Sequence, residues 1–340
     1  MSFAAVDVFA GCGGLTTGLK KAGFQVLGAV EIDAAASSVY SLNHPEVQMF
    51  EQDISLLDCA AMLTSLELSK GELDLLAGCP PCQGFSSVRT LNGKKTITDD
   101  RNELIFEFLR LAKGLRPKAI MLENVPGLAT DSRIEKFSTS LRRLGYSVRF
   151  EVLNVADYAV PQRRFRVVLL AGLFGAMEFG RPAKSRKTVR DAIGSLPLAG
   201  QSGDPSHDLS ERRSQRIQYL ISQIPKDGGS RTDLPMSLQL RCHERCDGFK
   251  DVYGRMKWDD IAPTLTTGCF NPSKGRFLHP QENRTITIRE AALLQTFPPR
   301  YKFPAELGKV TLALQIGNAL PPEFVRRHAK AVKTYLEANQ

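Results

Sequence analysis

The first half of the chain alternates short apolar runs with amphipathic ones. Ala4-Ala5-Val6-Asp7-Val8-Phe9 predicts a strand, which runs into Ala10-Gly11-Cys12-Gly13-Gly14 before a helix over Leu15 to Ala22. Gln25 to Val30 predicts a second strand, ending at Glu31-Ile32-Asp33 and followed by an alanine-rich helix. Val47 to Phe50, which ends near Gln52-Asp53, predicts a third, and Leu73 to Ala77 a fourth. An amphipathic helix is expected over 102–114. Lys118 to Leu122 follows as a fifth strand, ending at Glu123-Asn124-Val125. Tyr146 to Leu153 and Arg166 to Leu170 give two more. Repeated strand–helix units of this kind predict an α/β fold with a doubly wound, mostly parallel sheet.

That grammar stops after Ala171. From Gly172 to about His279 the chain is rich in Gly, Pro, Ser and Arg, and only Arg213 to Gln223 reads plainly as a helix. Regular periodicity resumes at Thr287 to Phe297, a helix entered through Thr285 and Thr287 with Glu290 in its first turn. Glu306 to Ile316 and Pro322 to Ala338 are further helices. The expected organisation is one α/β domain made of 1–171 and 285–340, interrupted by a smaller irregular domain over 172–284.

Charge changes this picture in one respect. The net charge is +9. Between Arg181 and Lys257 there are 15 basic against 9 acidic residues, so most of the excess sits in the irregular block. A basic surface there suits a polyanionic partner. The seven cysteines are scattered at 12, 59, 79, 82, 242, 246 and 269. They read as thiols in a reducing cytoplasm rather than a disulfide framework. Cys79-x2-Cys82 and Cys242-x3-Cys246 are too far apart in sequence, and the first pair too full of proline, to predict a zinc site, and no metal is expected. No run approaches the ~18 apolar residues of a membrane span.

Candidate chemistry gathers at the predicted strand ends. The glycines after the first strand let backbone pass close to a bound molecule. Thr16 stands where a pyrophosphate-binding G-x-G-x-x-G would have its third glycine, which disfavours a dinucleotide. Glu31, 18 residues after Gly13, suits ribose hydroxyls, and Asp53 suits an adenine amino group. The pattern points to an adenosine ligand without phosphates, such as S-adenosylmethionine; a plain turn with surface acids is the competing reading. Gly78-Cys79-Pro80-Pro81-Cys82-Gln83-Gly84-Phe85-Ser86 follows the fourth strand. Its prolines fix the backbone at a thiol, either to present it over a cleft or merely to make a rigid turn. Glu123 ends the neighbouring strand, and Gln162, Arg164 and Arg166 share one face if the segment is extended. A thiolate, a carboxyl group and a methyl donor together suit methylation at carbon 5 of a pyrimidine. Addition of the thiolate at carbon 6 makes carbon 5 nucleophilic, and a carboxyl group at ring nitrogen 3 supports that addition.

On these residues the chain resembles the DNA (cytosine-5) methyltransferases over nearly its whole length. Asp7-Val8-Phe9-Ala10-Gly11-Cys12-Gly13-Gly14 is similar to the family's first motif, Pro81-Cys82-Gln83 to its nucleophile motif, and Glu123-Asn124-Val125 to its carboxylate motif. Gln162-x-Arg164-x-Arg166, Arg289-Glu290 through Pro298, and Gln315 through Pro321 resemble three later motifs, in the family's order. The resemblance implies a Rossmann-like catalytic domain with an inserted target recognition domain. It implies Cys82, Glu123, Arg164 and Arg166 as catalytic. It implies Phe9, Ala10, Gly11, Gly13, Gly14, Glu31, Ile32, Asp53, Ile54, Pro80 and Asn318 around S-adenosylmethionine. Residues 83–101 become a loop that closes over a flipped base. Gln83, Ser86, Arg89, Gln162, Thr264 and Thr266 become contacts to duplex DNA. The implied setting is a bacterial cytoplasm, with a monomer held at the nucleoid through DNA and a cognate restriction endonuclease acting separately. A transfer RNA cytosine-5 methyltransferase shares the chemistry. Gln83-Gly84-Phe85-Ser86, in place of the Gln-Pro-Phe-Thr associated with those enzymes, argues for DNA.

Overall fold

A computed structural model describes residues 2–81, 103–209, 212–238 and 251–340. These fall into two compact units. The first comprises Met1–Tyr158, Phe165–Ala183 and Leu320–Gln340, and the second Ala159–Arg164 with Lys184–Ala319. Residues 285–319 therefore group with the irregular block, and only the last 21 return to the sheet.

The first unit is built on a seven-stranded sheet. Its strands are β1 (Phe3–Val8), β2 (Phe24–Glu31), β3 (Gln48–Glu51), β4 (Leu75–Gly78), β5 (Ala119–Asn124), β6 (Ser147–Asn154) and β7 (Phe165–Gly172). The order is β3-β2-β1-β4-β5-β7-β6. Pairing from β3 through β5 is parallel, while β7 runs antiparallel to both β5 and β6. The chain leaves β1 toward β2 on one side and later returns to β4 on the other. That reversal opens a crevice at the carboxyl ends of β1 and β4, where ligands bind in open α/β sheets. The two strands approach closely there: a Cβ on Gly78 would lie 2.4 Å from the Val8 carbonyl oxygen.

Every residue of β4 and β5 is buried, as expected of strands covered on both faces. On one side lie α3 (Cys59–Ser65), α4 (Leu104–Leu115) and α5 (Ser132–Arg143). Phe108 and Phe137 meet edge-on there, 5.9 Å between ring centres, in a core with Leu76, Ile120, Leu122 and Leu169. Each such buried ring contributes about 2–3 kcal/mol of burial free energy. The other helices of this unit are α1 (Gly14–Ala22), α2 (Ala34–Asn43) and α11 (Pro322–Glu337). α11 seats against α1 so closely that a Cβ on Gly18 would lie 2.3 Å from that of Val325.

The second unit holds α6 (Val189–Ile193), α7 (Pro205–Asp208), α8 (Gln215–Gln223), α9 (Ile288–Leu294) and α10 (Gly308–Asn318). Thr287 and Glu290 form the expected capping box at the start of α9. Polar atoms do much of the organising. Arg255 is fully buried and donates to the carbonyls of Ile221, Ile224 and His279, tying the end of α8 to the chain beyond Leu278. His279, Glu282 and Glu290 bring ligand-type atoms within 4.8 Å of one another, but Arg284 already pairs with both carboxylates. No helix among the described residues is long and apolar enough to cross a membrane.

Candidate active site

The loop after β1 takes its shape from left-handed backbone. Phe9, Gly11 and Gly13 have φ of 61°, 53° and 88°. For Phe9 that conformation is strained, and such strain persists where surrounding structure over-determines it. The surroundings here are explicit. Ala10 N–H donates to Val30 O at 3.0 Å, and Gly13 N–H to Ala10 O at 3.0 Å. Gly11 N–H donates to Glu31 Oε2 at 2.8 Å. The other oxygen of Glu31 accepts from the N–H groups of Ile32 and Asp33, both at 2.9 Å. Glu31 thus pins the end of β2 to the loop after β1. Its Oε2 keeps a lone pair for one further donor, as a ribose hydroxyl would require.

The same edge suits an adenosine. A Cβ at Gly11 would meet nothing within 4 Å, so a ligand has room over that peptide. Ile32 leaves 64% of its surface exposed beside Glu31, an apolar face for a flat ring. Asp53 Oδ1 accepts from Ser55 N–H and Oγ, both at 2.8 Å. Those bonds hold its carboxyl below the usual range and leave Oδ2 to accept from an amino group. Ile54, by contrast, buries its side chain in the core, so only its backbone is available to a ligand. Asn318 is exposed at the end of α10, in the second unit.

Beneath the loop, Asp7 Oδ2 accepts from Thr16 N–H at 3.1 Å and Thr16 Oγ1 at 2.7 Å. Thr16 Oγ1 also lies 2.8 Å from the Tyr40 hydroxyl. The threonine that breaks the glycine pattern therefore anchors α1 to β1. Burial pushes the Asp7 carboxyl up to about 7 and the Cys12 thiol up to about 12.

At the ends of β4 and β5 the acid–base candidates assemble. Arg166 Nε lies 2.6 Å from Glu123 Oε1, and Glu123 is 6% exposed. Asn124 Nδ2 donates to Pro80 O at 2.9 Å, tying the two strand ends together. Cys82, Gln83, Ser86 and Arg89, with the expected loop over 83–101, lie outside the described residues.

The Gln-x-Arg-x-Arg segment does not present one ladder. Gln162 has no exposed surface: its Nε2 donates to Gln295 Oε1 at 2.9 Å and its Oε1 accepts from Leu265 N–H at 2.9 Å. The DNA contact expected at Gln162 falls on a buried side chain, both ends of whose amide are hydrogen-bonded inside the second unit. Arg164 is likewise buried, donating to Leu265 O at 3.0 Å and Gly317 O at 2.9 Å. Only Arg166 belongs to the first unit, where it reaches the Glu123 carboxylate. Thr264 and Thr266 are exposed, with Thr264 Oγ1 donating to Arg163 O at 2.6 Å. Gln295 and Gly317 brace this segment from within the second unit. A Cβ on Gly317 would lie 2.6 Å from the Thr266–Thr267 peptide, so the glycine marks a close approach.

A sequence profile of the C-5 cytosine-specific DNA methylases matches residues 3–334. Type II methylase M.HgiDII of Herpetosiphon aurantiacus is 39% identical over 98% of this chain and 96% of its own. Type II methyltransferase M1.HphI of Haemophilus parahaemolyticus is 34% identical over 98% and 87%. Among solved structures, a DNA modification methyltransferase encoded within an E. coli prophage superposes with a TM-score of 0.73 at 27% identity, covering 99% and 100% of the two chains. S. pombe Dnmt2 methyltransferase, 19% identical with a TM-score of 0.62 over 100% of both, shares the fold.

Proposed function

This chain belongs to the C-5 cytosine-specific DNA methylase family and is a DNA (cytosine-5) methyltransferase, and from that premise we propose how its residues divide the work. Family membership implies methyl transfer from S-adenosylmethionine, which when bound supplies an electrophilic methyl group. Gly11, Glu31, Ile32 and Asp53 hold it by the backbone, ribose and adenine contacts their geometry suits. Phe9, Ala10, Gly13, Gly14, Pro80 and the Ile54 backbone complete that set in the first unit.

Cys82 is the nucleophile. Its thiolate forms a bond to carbon 6 of a cytosine turned out of the duplex, and the ring electrons move to carbon 5. The Glu123 carboxyl group hydrogen bonds at ring nitrogen 3 and holds a proton there while the charge develops. Carbon 5 takes the methyl group as the sulfonium carbon–sulfur bond breaks, its electron pair leaving with sulfur as S-adenosylhomocysteine. Loss of the carbon 5 proton to solvent water restores the 5,6 double bond as the sulfur–carbon 6 bond breaks with its electrons on sulfur. The proton at nitrogen 3 returns to Glu123, and Cys82 thiolate and the methylated base are released. Arg166 keeps Glu123 oriented. Arg164 acts at a distance, as a buried brace of the segment that leads into β7.

The observation that carries this reading is the buried Glu123–Arg166 pair at the end of the strand beside Pro80 and Pro81, the residues that precede Cys82 in sequence. Exposed residues of 172–284 read the DNA sequence, with basic side chains gripping phosphates. The type II methylases among the relatives support a modification role; a monomer acting beside a separate endonuclease completes the proposal. The test is methyl transfer from labelled S-adenosylmethionine to duplex DNA and to transfer RNA, with bisulfite sequencing to locate the base. Label appearing in DNA at carbon 5 of cytosine is the expected result; label in RNA alone would overturn it.

A further inference from the structure

The resemblance leaves Cys79 without a task, yet its surroundings are specific. β4 and β5 pair with Gly78 opposite Leu122, so the next step sets Cys79 alongside Glu123. The backbone at that point is clamped. Cys79 N–H donates to Val8 O at 3.3 Å, Pro80 O accepts from Asn124, and Pro80 and Pro81 fix the chain direction. The thiol faces the Glu123 carboxylate and is placed to donate to it. The charged groups facing it are Glu123 and Asp7, with Arg166 behind the carboxylate. Burial and the two acids push the thiol well above its ordinary range. It therefore stays protonated, a poor nucleophile but a standing donor.

We propose that Cys79 is a positioning residue for the reaction: its S–H and the Arg166 guanidinium hold Glu123 between them, setting the orientation and proton load of the carboxyl group offered to the base. This rests on the role given above to Glu123. A donor to a carboxylate favours the ionised form. Removing it favours the protonated form that holds ring nitrogen 3.

The test compares Cys79→Ala, Cys79→Gly and Cys79→Ser. The alkaline fall of kcat is expected at higher pH in Cys79→Ala and Cys79→Gly, and back near its original position in Cys79→Ser, whose hydroxyl still donates. A profile unchanged in Ala and Gly, or Ser behaving like Ala, overturns the proposal. A second measurement does not depend on turnover. The infrared S–H band isolated by subtracting the Cys79→Ser spectrum is expected at the lowered frequency of a bonded thiol, moving upward in Glu123→Gln. A band at the free-thiol frequency overturns the proposal even if no Ala or Gly variant folds. Near-normal turnover in Glu123→Gln would remove that residue's catalytic role, while the band still reports the hydrogen bond. Slow turnover there, with unchanged Cys79 profiles, removes only the proposal.

Discussion

Arg166 and Glu123 meet at 2.6 Å across the β5–β7 boundary, where an antiparallel strand is wedged into an otherwise parallel sheet. The reversal puts the start of β7 beside the end of β5, so a side chain from each reaches the carboxyl edge. Both are largely shielded from solvent. Truncating one partner of such a pair costs about 3–5 kcal/mol, because the other charge is left buried. Arg166→Gln is accordingly expected to lower both the unfolding midpoint and kcat, with Arg166→Lys in between. Chemical denaturation and steady-state kinetics on the same preparations check this.

Glu123→Gln keeps the shape of the side chain and removes its proton chemistry. Turnover is expected to fall by about 10²–10⁴-fold, the span of a general acid–base contribution. DNA affinity, measured by filter binding, stays within a few-fold. Near-normal turnover would be the contrary result.

Cys82→Ser is expected to abolish turnover and the covalent complex with DNA, while calorimetry still detects S-adenosylmethionine binding. Loss of cofactor binding would instead assign Cys82 a structural task.

Glu31→Ala removes the acceptor of three backbone N–H groups as well as the ribose contact. Cofactor affinity is expected to drop steeply, at least tenfold, with Glu31→Gln intermediate, since its amide retains one accepting oxygen. Equal affinity for all three proteins would sink the assignment of the loop.

Asp7 offers a pH dependence of definite sign. Its carboxyl titrates near 7 when folded, against 3.8 ordinarily, because burial disfavours its charge. Between those values the folded chain binds more protons than the unfolded one, so stability falls as pH rises from about 4 to 7 and levels off above. The slope from this one group is at most about 1.4 kcal/mol per pH unit. Asp7→Asn is expected to flatten the dependence of the unfolding midpoint across that window; an undiminished slope would assign it to other groups.

Much of this was readable before any coordinates. β1, its glycine loop, Glu31 and Asp53 fall where apolar runs end in glycine or acid, because burial and ligand approach both leave marks on composition. The Thr287–Glu290 capping box was legible for the same local reason. Strand direction was not: an apolar run looks alike in either sense, so the antiparallel β7 had no local signature. Helices α3 and α5 went unread, although Asp58 and Asp131 cap them in the ordinary way. A period of two grouped Gln162, Arg164 and Arg166 on one face, but two of them brace the second unit and one serves the sheet. Which packed unit a side chain enters is a tertiary fact that spacing does not encode. Likewise, nothing local distinguished Gln162 the buried brace from an amide reading a base.

The close fit of Gly18 against Val325 has a consequence in time. The surface that the helix after the cofactor loop seats against is synthesised more than 300 residues after it. Contacts so distant along the chain form late and slow the folding of domains that depend on them. A nascent chain released before α11 would hold the loop residues without the support that fixes them. Competence to bind S-adenosylmethionine is therefore acquired only once α11 has been made, as a single event shared by two distant segments.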